Sequence, residues 1–190
     1  MSVIRKKINL SIIIPSYNEY KNLSKLIQKI KLVLNKNKNI EIILVNNGSQ
    51  DESFHFLSSQ KKINKNFKII HVKNNIGYGH GILCGIKEST GKFVAWCHAD
   101  LQFELLDVVD AFKKFYQNLI LEKCVVKGAR NNRSFQDRFF TRGMSVITNL
   151  VFNININDIN AQPKIFHQNL VKKLIKYSPN TFLLDLFFLI

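Results

Sequence analysis

His98, Asp100 and Gln102 stand at alternate positions directly after the apolar run Phe93 to Cys97. On an extended segment, residues at i, i+2 and i+4 project to one side, so the spacing predicts an imidazole, a carboxylate and a carboxamide converging on one ion. Carboxylate and amide oxygens are hard ligands suited to Mg2+ or Mn2+, and such an ion keeps open positions for phosphate oxygens. The imidazole shifts the preference towards Mn2+. An isolated Asp-x-Gln is better explained as a helix-capping aspartate beside a surface histidine. What reverses that preference is the setting. Three more polar clusters follow apolar runs in the same way: Pro15-Ser16-Tyr17-Asn18-Glu19, Asn46-Asn47-Gly48-Ser49, and Asn74-Asn75-Ile76-Gly77 with Gly79 close behind.

The elements that must position these clusters alternate in type. Leu10 to Ile14, Ile40 to Val45, Phe67 to Val72, Phe93 to Cys97 and Cys124 to Gly128 are short apolar runs with the length and branching of buried strands. Between them, Leu23, Leu26, Ile27, Ile30, Val33 and Leu34 recur at helical spacing, as do apolar residues in the segments after Asp51, over Ile82 to Ser89 and over Leu105 to Leu119. Strands that are apolar along their whole length and alternate with helices predict an α/β fold with a mainly parallel sheet covered on both faces. Ligands of such sheets bind where the loops at the carboxyl ends converge, and all four polar clusters occupy those ends. Beyond residue 130 the pattern weakens: Phe139 to Phe152 reads as a helix, and a loop through Asp158 and Pro163 leads to a helix around Asn169 to Lys176. No linker or internal repeat divides the chain, so residues 1–190 read as one domain.

Composition bounds the partners. A hydrophobic content of 46% in 190 residues supports a sizeable core. The net charge of +15 predicts attraction to polyanions, whether nucleic acid, an anionic membrane surface or phosphorylated small molecules. Heavy use of Lys and Asn equally fits a basicity that follows from base composition. Cys84, Cys97 and Cys124 lie far apart in apolar stretches, as expected for buried thiols in a reducing compartment. Arg5, Lys6 and Lys7 precede an apolar run, but the run closes at Pro15 without a small-residue cleavage site. No stretch reaches the ~20 apolar residues that span a bilayer, so membrane contact is expected to be peripheral.

The four clusters, in this order over roughly residues 9 to 130, resemble the signature of family 2 glycosyltransferases, in particular the dolichyl-phosphate mannosyltransferase-like branch. The resemblance implies a GT-A fold and transfer, with inversion, from a UDP- or GDP-sugar to a lipid-phosphate or glycan acceptor in cell-surface polysaccharide or glycolipid synthesis. It implies donor binding by Pro15, Tyr17, Asn18 and Glu19, by Asn47, Gly48 and Ser49, by Asn75, Gly77 and Gly79, and by His98, Ala99 and Asp100. Asn47 stands where the family usually has an Asp bonding to the base, and its carbonyl still offers an acceptor. Asp100 and Gln102 match metal ligands, while His98 replaces the usual first Asp, which weakens metal binding unless the donor diphosphate supplies ligands. His-Ala-Asp-Leu-Gln resembles a variant of the motif seen with Asn-Asn-Gly-Ser and a later Asp-Ile-Asn-Ala-Gln-Pro segment, here Asp158 to Pro163.

On the acceptor side, Arg130 and Arg142 resemble residues that hold a polyprenyl phosphate, and guanidinium groups suit phosphate through their fixed fork of donors. Ordinary surface arginines in a basic chain fit both positions equally. Arg133 and Arg138 are lesser candidates. Asp158 and Asp185 are the carboxylates available as a general base, which a sugar hydroxyl would need and an ionised phosphate would not. The donor part is expected over about residues 8–130 and the acceptor part over about 131–190, short of the family's usual C-terminal extent. The expected location is the cytoplasm, at the inner face of the membrane, with an oligomer left open.

Rival classes make different demands. Gly77-x-Gly79-x-Gly81 is reminiscent of a dinucleotide fingerprint, but that motif belongs after the first strand. A nucleic-acid module would use the basic charge and Phe135, Phe139 and Phe140, and would show steeply salt-dependent binding; no nucleic-acid partner is expected. A catalytically impaired transferase-like protein would be consistent with His98 and the short C-terminus.

Overall fold

The computed structural model describes residues 7–60, 63–102, 104–121, 124–129 and 135–190. Strand β1 (Leu10–Ser16) is followed by α1 (Tyr20–Lys36), β2 (Ile40–Asn47), α2 (Ser53–Ser58), β3 (Phe67–Val72), α3 (Tyr78–Lys87) and β4 (Phe93–Trp96). Then come α4 (Leu105–Lys114), α5 (Tyr116–Ile120), β5 (Val126–Lys127), α6 (Phe135–Phe152), β6 (Lys164–His167), α7 (Gln168–Leu174), a 3-10 turn and α8 (Leu184–Phe187). The sheet order is β3-β2-β1-β4-β6-β5. The first four strands are mutually parallel, and β6 runs antiparallel to both of its neighbours.

Alternation along each strand divides the core between the two sheet faces. Ile12, Ile14, Ile42 and Leu44 face α1 and α4, whose buried stripes include Leu23, Ile27, Ile30, Val108 and Phe112. Ile13, Ile43, Val45 and Trp96 face the opposite way, onto Ile82 and Ile86 of α3, Val171 of α7 and Leu184 and Phe188 around α8. Each such aliphatic side chain contributes roughly 1.5–3 kcal/mol when fully buried.

Three elements differ from the sequence expectation. The helix expected over Leu105 to Leu119 is broken at Phe115 into α4 and α5. The expected fifth strand shrinks to Val126–Lys127. Between Pro163 and α7 lies β6, which the sequence pattern reads as loop; it opens with Lys164, a lysine with no exposed surface. The apolar C-terminus does not stand free, because Leu184 and Phe188 are buried in the α3-side core.

Candidate active site

The chain moves from β1 outwards to β2 and β3, then returns to the other side of β1 to form β4. That reversal opens a crevice at the carboxyl ends of β1 and β4, where open α/β sheets bind ligands. A cleft of about 300 Å3 lies there. The end of β1 contributes Pro15, Ser16, Tyr17 and Glu19, and the end of β2 contributes Asn47. The β3–α3 connection adds Asn75, Gly77 and Tyr78, the end of β4 adds His98, Ala99 and Asp100, and Phe182 arrives from the C-terminal segment.

The first two loops are splinted to each other. Asn18 adopts a left-handed φ of 55°. Its backbone N–H donates to Ser49 Oγ at 3.0 Å, and its Oδ1 accepts from the Gln50 N–H at 2.8 Å. Asp51 accepts from the Tyr20 N–H at 3.1 Å and the Ser53 N–H at 3.0 Å. Burial pushes the Asp51 carboxyl up, but the donors from Ser53 and Tyr20 outweigh it and hold the group below its ordinary range. Gly48, at φ 71°, lies against the Asn74–Asn75 backbone so closely that a Cβ would collide with it. Asn18, Gly48 and Ser49 thus hold the loops rather than line the cleft.

Asn47 connects the second cluster to the third. Its Nδ2 donates to the Gly77 carbonyl at 3.0 Å, which fixes the orientation of the amide. Its Oδ1 is buried without a hydrogen-bond partner among the described residues. Gly77 sits at φ 131°, a conformation open to glycine, and both Gly77 and Gly79 are pressed by the backbone of Pro179, Asn180 and Thr181. Gly81 packs on the Asn47 side chain. These glycines therefore serve close packing after β3, and nothing in the arrangement forms a dinucleotide cradle.

The fourth cluster has a different shape from the one its alternation implied. β4 ends at Trp96, the chain bends from Ala99 onwards, and Leu101 turns to a left-handed φ of 61°. Asp100 Oδ1 accepts the Gln102 N–H at 3.0 Å, closing a local turn. His98 and Asp100 face the cleft, but Gln102 is exposed and does not line it. In place of a straight strand alternation, a turn puts His98 and Asp100 on the cleft wall and leaves Gln102, tied through its N–H to the Asp100 carboxylate, exposed beside it. Among the described residues, no cluster of three His, Cys, Asp or Glu side chains could hold a metal unaided.

Tyr78 backs the fourth cluster. Its ring stacks on His98, with centroids 5.2 Å apart, and on Phe182 at 4.7 Å. Burial, then the charges of Asp185, Cys97 and Asp100, push the phenol well above its ordinary range, so it remains protonated. Gln162 Nε2 donates to its oxygen at 3.2 Å and to Asp185 Oδ2 at 3.1 Å.

The model of glycosyl transferase family 2 matches residues 11–175 of this chain. The chain belongs to that family. Its relatives include an uncharacterized glycosyltransferase, YkcC, of Bacillus subtilis, 28% identical over 157 residues that make up 80% of this chain and 49% of that protein. Another is the undecaprenyl-phosphate 4-deoxy-4-formamido-L-arabinose transferase of Proteus mirabilis, 32% identical over 154 residues, 78% of this chain and 44% of that protein. The chain spans about half the length of the curated relatives it matches. Among solved structures, the mannosyltransferase PcManGT from Pyrobaculum calidifontis, in complex with GDP-Man and Mn2+, superposes with a TM-score of 0.63 at 15% identity, over 88% of this chain and 47% of that one. This likeness establishes the GT-A fold, with its six-stranded, mostly parallel sheet.

Within this family 2 domain, nine of the residues predicted to bind the donor line one cleft: Pro15, Tyr17, Glu19, Asn47, Asn75, Gly77, His98, Ala99 and Asp100. Of the acceptor-side candidates, only Asp158 and Asp185 have described side chains, and neither lines it. Arg130 and Arg133 lie outside the described residues, and Arg138 and Arg142 are carried by α6. Asp158 occupies a left-handed turn at φ 49°, where its carbonyl accepts from Lys127 Nζ at 3.2 Å, and it does not line the cleft. Asp185 is corrected from candidate base to buried partner of Lys164 and Trp96. Ser16, Tyr78 and Phe182 line the cleft in addition to the residues expected from sequence. Ser16 and Tyr78 stand within or beside the polar clusters, and only Phe182 lacks any signal in the sequence.

Proposed function

We propose that the chain binds a nucleotide-diphosphate sugar in the β1–β4 cleft and transfers the sugar, with inversion, to a lipid phosphate. The observation carrying this reading is that Asp100, Glu19 and Asn47, from three separate strand ends, line a single cleft. Asn47 and Tyr17 would hold the nucleoside, and the acceptor oxygen would attack the anomeric carbon from the face opposite the diphosphate. Alignment in the cleft then supplies much of the rate. An ionised phosphate needs no general base, which suits a site whose nearby carboxylate Asp185 is committed to an ion pair. The Proteus relative acts on undecaprenyl phosphate, by its name.

The lining residues include two carboxylates, Asp100 and Glu19, and no lysine or arginine among the described residues. A pyrophosphate would meet repulsion there without a cation. The donor set therefore fits a divalent ion, Mn2+ or Mg2+, held by the Asp100 carboxylate together with diphosphate oxygens, with His98 beside it. Such an ion, when bound, neutralises charge on the leaving diphosphate; the solved mannosyltransferase is described with Mn2+ and GDP-Man. Gln102 is a weaker candidate ligand than its spacing implied, because it is exposed and does not line the cleft.

The accompanying location is the cytoplasmic face of a membrane, where a lipid phosphate presents its head group. Among the described residues no helix is long and apolar enough to cross a membrane. A net charge of +15 favours an anionic surface, and α6 exposes Val146, Ile147, Leu150 and Val151 while burying Ser145 and Thr148.

Calorimetric titration with UDP- and GDP-sugars, with and without Mn2+, tests the proposal. Donor binding that requires the ion and vanishes in Asp100→Ala is expected. Unchanged donor affinity in that variant would remove Asp100 from its role, and ion-dependent binding without transfer to polyprenyl phosphate would favour a glycan acceptor or, if none is used, a catalytically impaired transferase-like partner protein.

A further inference from the structure

Phe182 is 67% exposed although it lines the cleft. Its ring lies parallel to that of Tyr78, with centroids 4.7 Å apart and planes 8° apart. With one face covered by that stack and most of its surface accessible, the opposite face is open to solvent. The position is held from both sides in sequence. Asn180 accepts the His80 N–H at 3.0 Å, and its backbone seats on Gly77. Leu184 is buried, and Asp185 is locked to Lys164 and Trp96. The ring is thus presented to the cleft by a fixed support.

The polar group suited to reading a nucleobase, Asn47, comes from the end of β2. Phe182 is tied to both ends of the cleft: its neighbours Asn180 and Thr181 seat on Gly77, whose carbonyl holds the Asn47 amide, and Tyr78 joins its ring to His98, two residues before Asp100, where the diphosphate is proposed to sit. The next group along the donor is the sugar. A hexopyranose is amphipathic: it carries a patch of C–H groups on a ring face and hydroxyls around its edge. The C–H patch suits an open aromatic face, and the hydroxyls suit the carboxylates and amides of the remaining walls.

We propose that Phe182 is a sugar-contacting residue whose open ring face carries the C–H face of the transferred hexopyranose. This rests on the nucleotide-sugar reading above and adds the part of the donor recognised on the α3 side. The test compares the full chain with Phe182→Leu, which keeps apolar bulk but removes the ring, and Phe182→Tyr, which keeps the ring. Each is titrated calorimetrically, in Mn2+, with UDP, GDP, UDP-glucose and GDP-mannose, after thermal melting shows that the variants fold as the parent does.

The expected result is a loss of roughly two- to tenfold in nucleotide-sugar affinity for Phe182→Leu, no change for the nucleoside diphosphates, and recovery in Phe182→Tyr. Equal losses for diphosphate and diphosphate-sugar would overturn the assignment, because the ring would then serve the nucleotide. So would unchanged affinity for both, or a parent that binds the sugar nucleotide no more tightly than the diphosphate. A parent that binds neither would sink the nucleotide-sugar reading itself, an outcome distinct from the others.

Discussion

Lys164 Nζ lies 3.0 Å from Asp185 Oδ2, and both side chains are sealed from solvent. The carboxylate also accepts from Trp96 Nε1 at 2.8 Å and Gln162 Nε2 at 3.1 Å, while the ammonium donates to the Ala161 carbonyl at 3.1 Å. One ion pair therefore ties together β4, the Ala161–Gln162 loop, β6 and α8. It holds the segment that places Phe182 at the cleft, so the C-terminal wall of the site depends on a charge pair in the core.

Breaking such a pair from one side strands the other charge, at a cost of about 3–5 kcal/mol, whereas replacing both by apolar residues is often neutral. Asp185→Ala is expected to lower the melting temperature by roughly 6–20 °C for a domain of this size. The double variant Lys164→Met/Asp185→Leu should recover most of it. Scanning calorimetry decides: a drop below about 2 °C in the single variant would mean that Lys164 finds compensation elsewhere.

Two glycines should respond oppositely to a methyl group. At Gly77, φ is 131° and a Cβ would run into the Asn180 carbonyl, so Gly77→Ala should destabilise the fold and displace the Phe182 wall. Gly143 lies within α6, and a Cβ there would meet nothing within 4 Å among the described residues. Gly143→Ala should therefore raise stability by about 0.5–1 kcal/mol through helix propensity alone. Urea titrations of both variants check the pair; stabilisation at Gly77 would contradict the packing of residues 179–181 on the β3–α3 loop.

The parts of this molecule legible in the sequence are those fixed by neighbours along the chain. Leu10 to Ile14 and Ile40 to Val45 read as buried strands because nearly every residue is apolar, and the polar residues that follow them had to reach one rim. β6 was hidden because Lys164 makes its first position charged, and the compensating Asp185 is distant in sequence. The alternation of His98, Asp100 and Gln102 carried two of them to the cleft wall and not the third, because strand periodicity applies only while the chain stays extended, and the bends from Ala99 through the left-handed Leu101 end that. Phe182 reaches the cleft through α8, Asp185 and the 179–181 backbone, contacts for which no local pattern exists.

Asn47 occupies a position where an aspartate would be the family's usual choice, yet its amide donates to the Gly77 carbonyl. An ionised aspartate has no proton to donate and would set a carboxylate oxygen against that carbonyl in a buried site. Asn47→Asp is therefore expected to cost about 1–3 kcal/mol and to loosen the link between the β2 end and the β3–α3 loop. Denaturant titration measures the loss. A variant as stable as the parent would mean that the Asn47–Gly77 bond contributes nothing to the loop.

Glu41 provides a pH-dependent contribution well away from the cleft. Its Oε1 accepts from Ser11 Oγ at 2.6 Å, the Thr90 N–H at 2.5 Å and Thr90 Oγ1 at 2.9 Å, and Lys68 Nζ lies 3.3 Å from Oε2. Burial pushes the carboxyl up, but the donors of Ser11 and Thr90 and the charge of Lys68 outweigh it and hold the group below 4.5. A folded value below the unfolded one means that ionisation favours the native state. That stability is fully present above the unfolded value of 4.5 and is lost as pH falls through the lower folded value. Glu41→Gln removes the titrating group, so the parent should exceed the variant in stability near neutral pH, with the gap closing under acid. Urea unfolding of both proteins from about pH 7 to about pH 3 reads this directly; a gap that stays constant across the range would show that Glu41 stabilises by packing rather than by its charge.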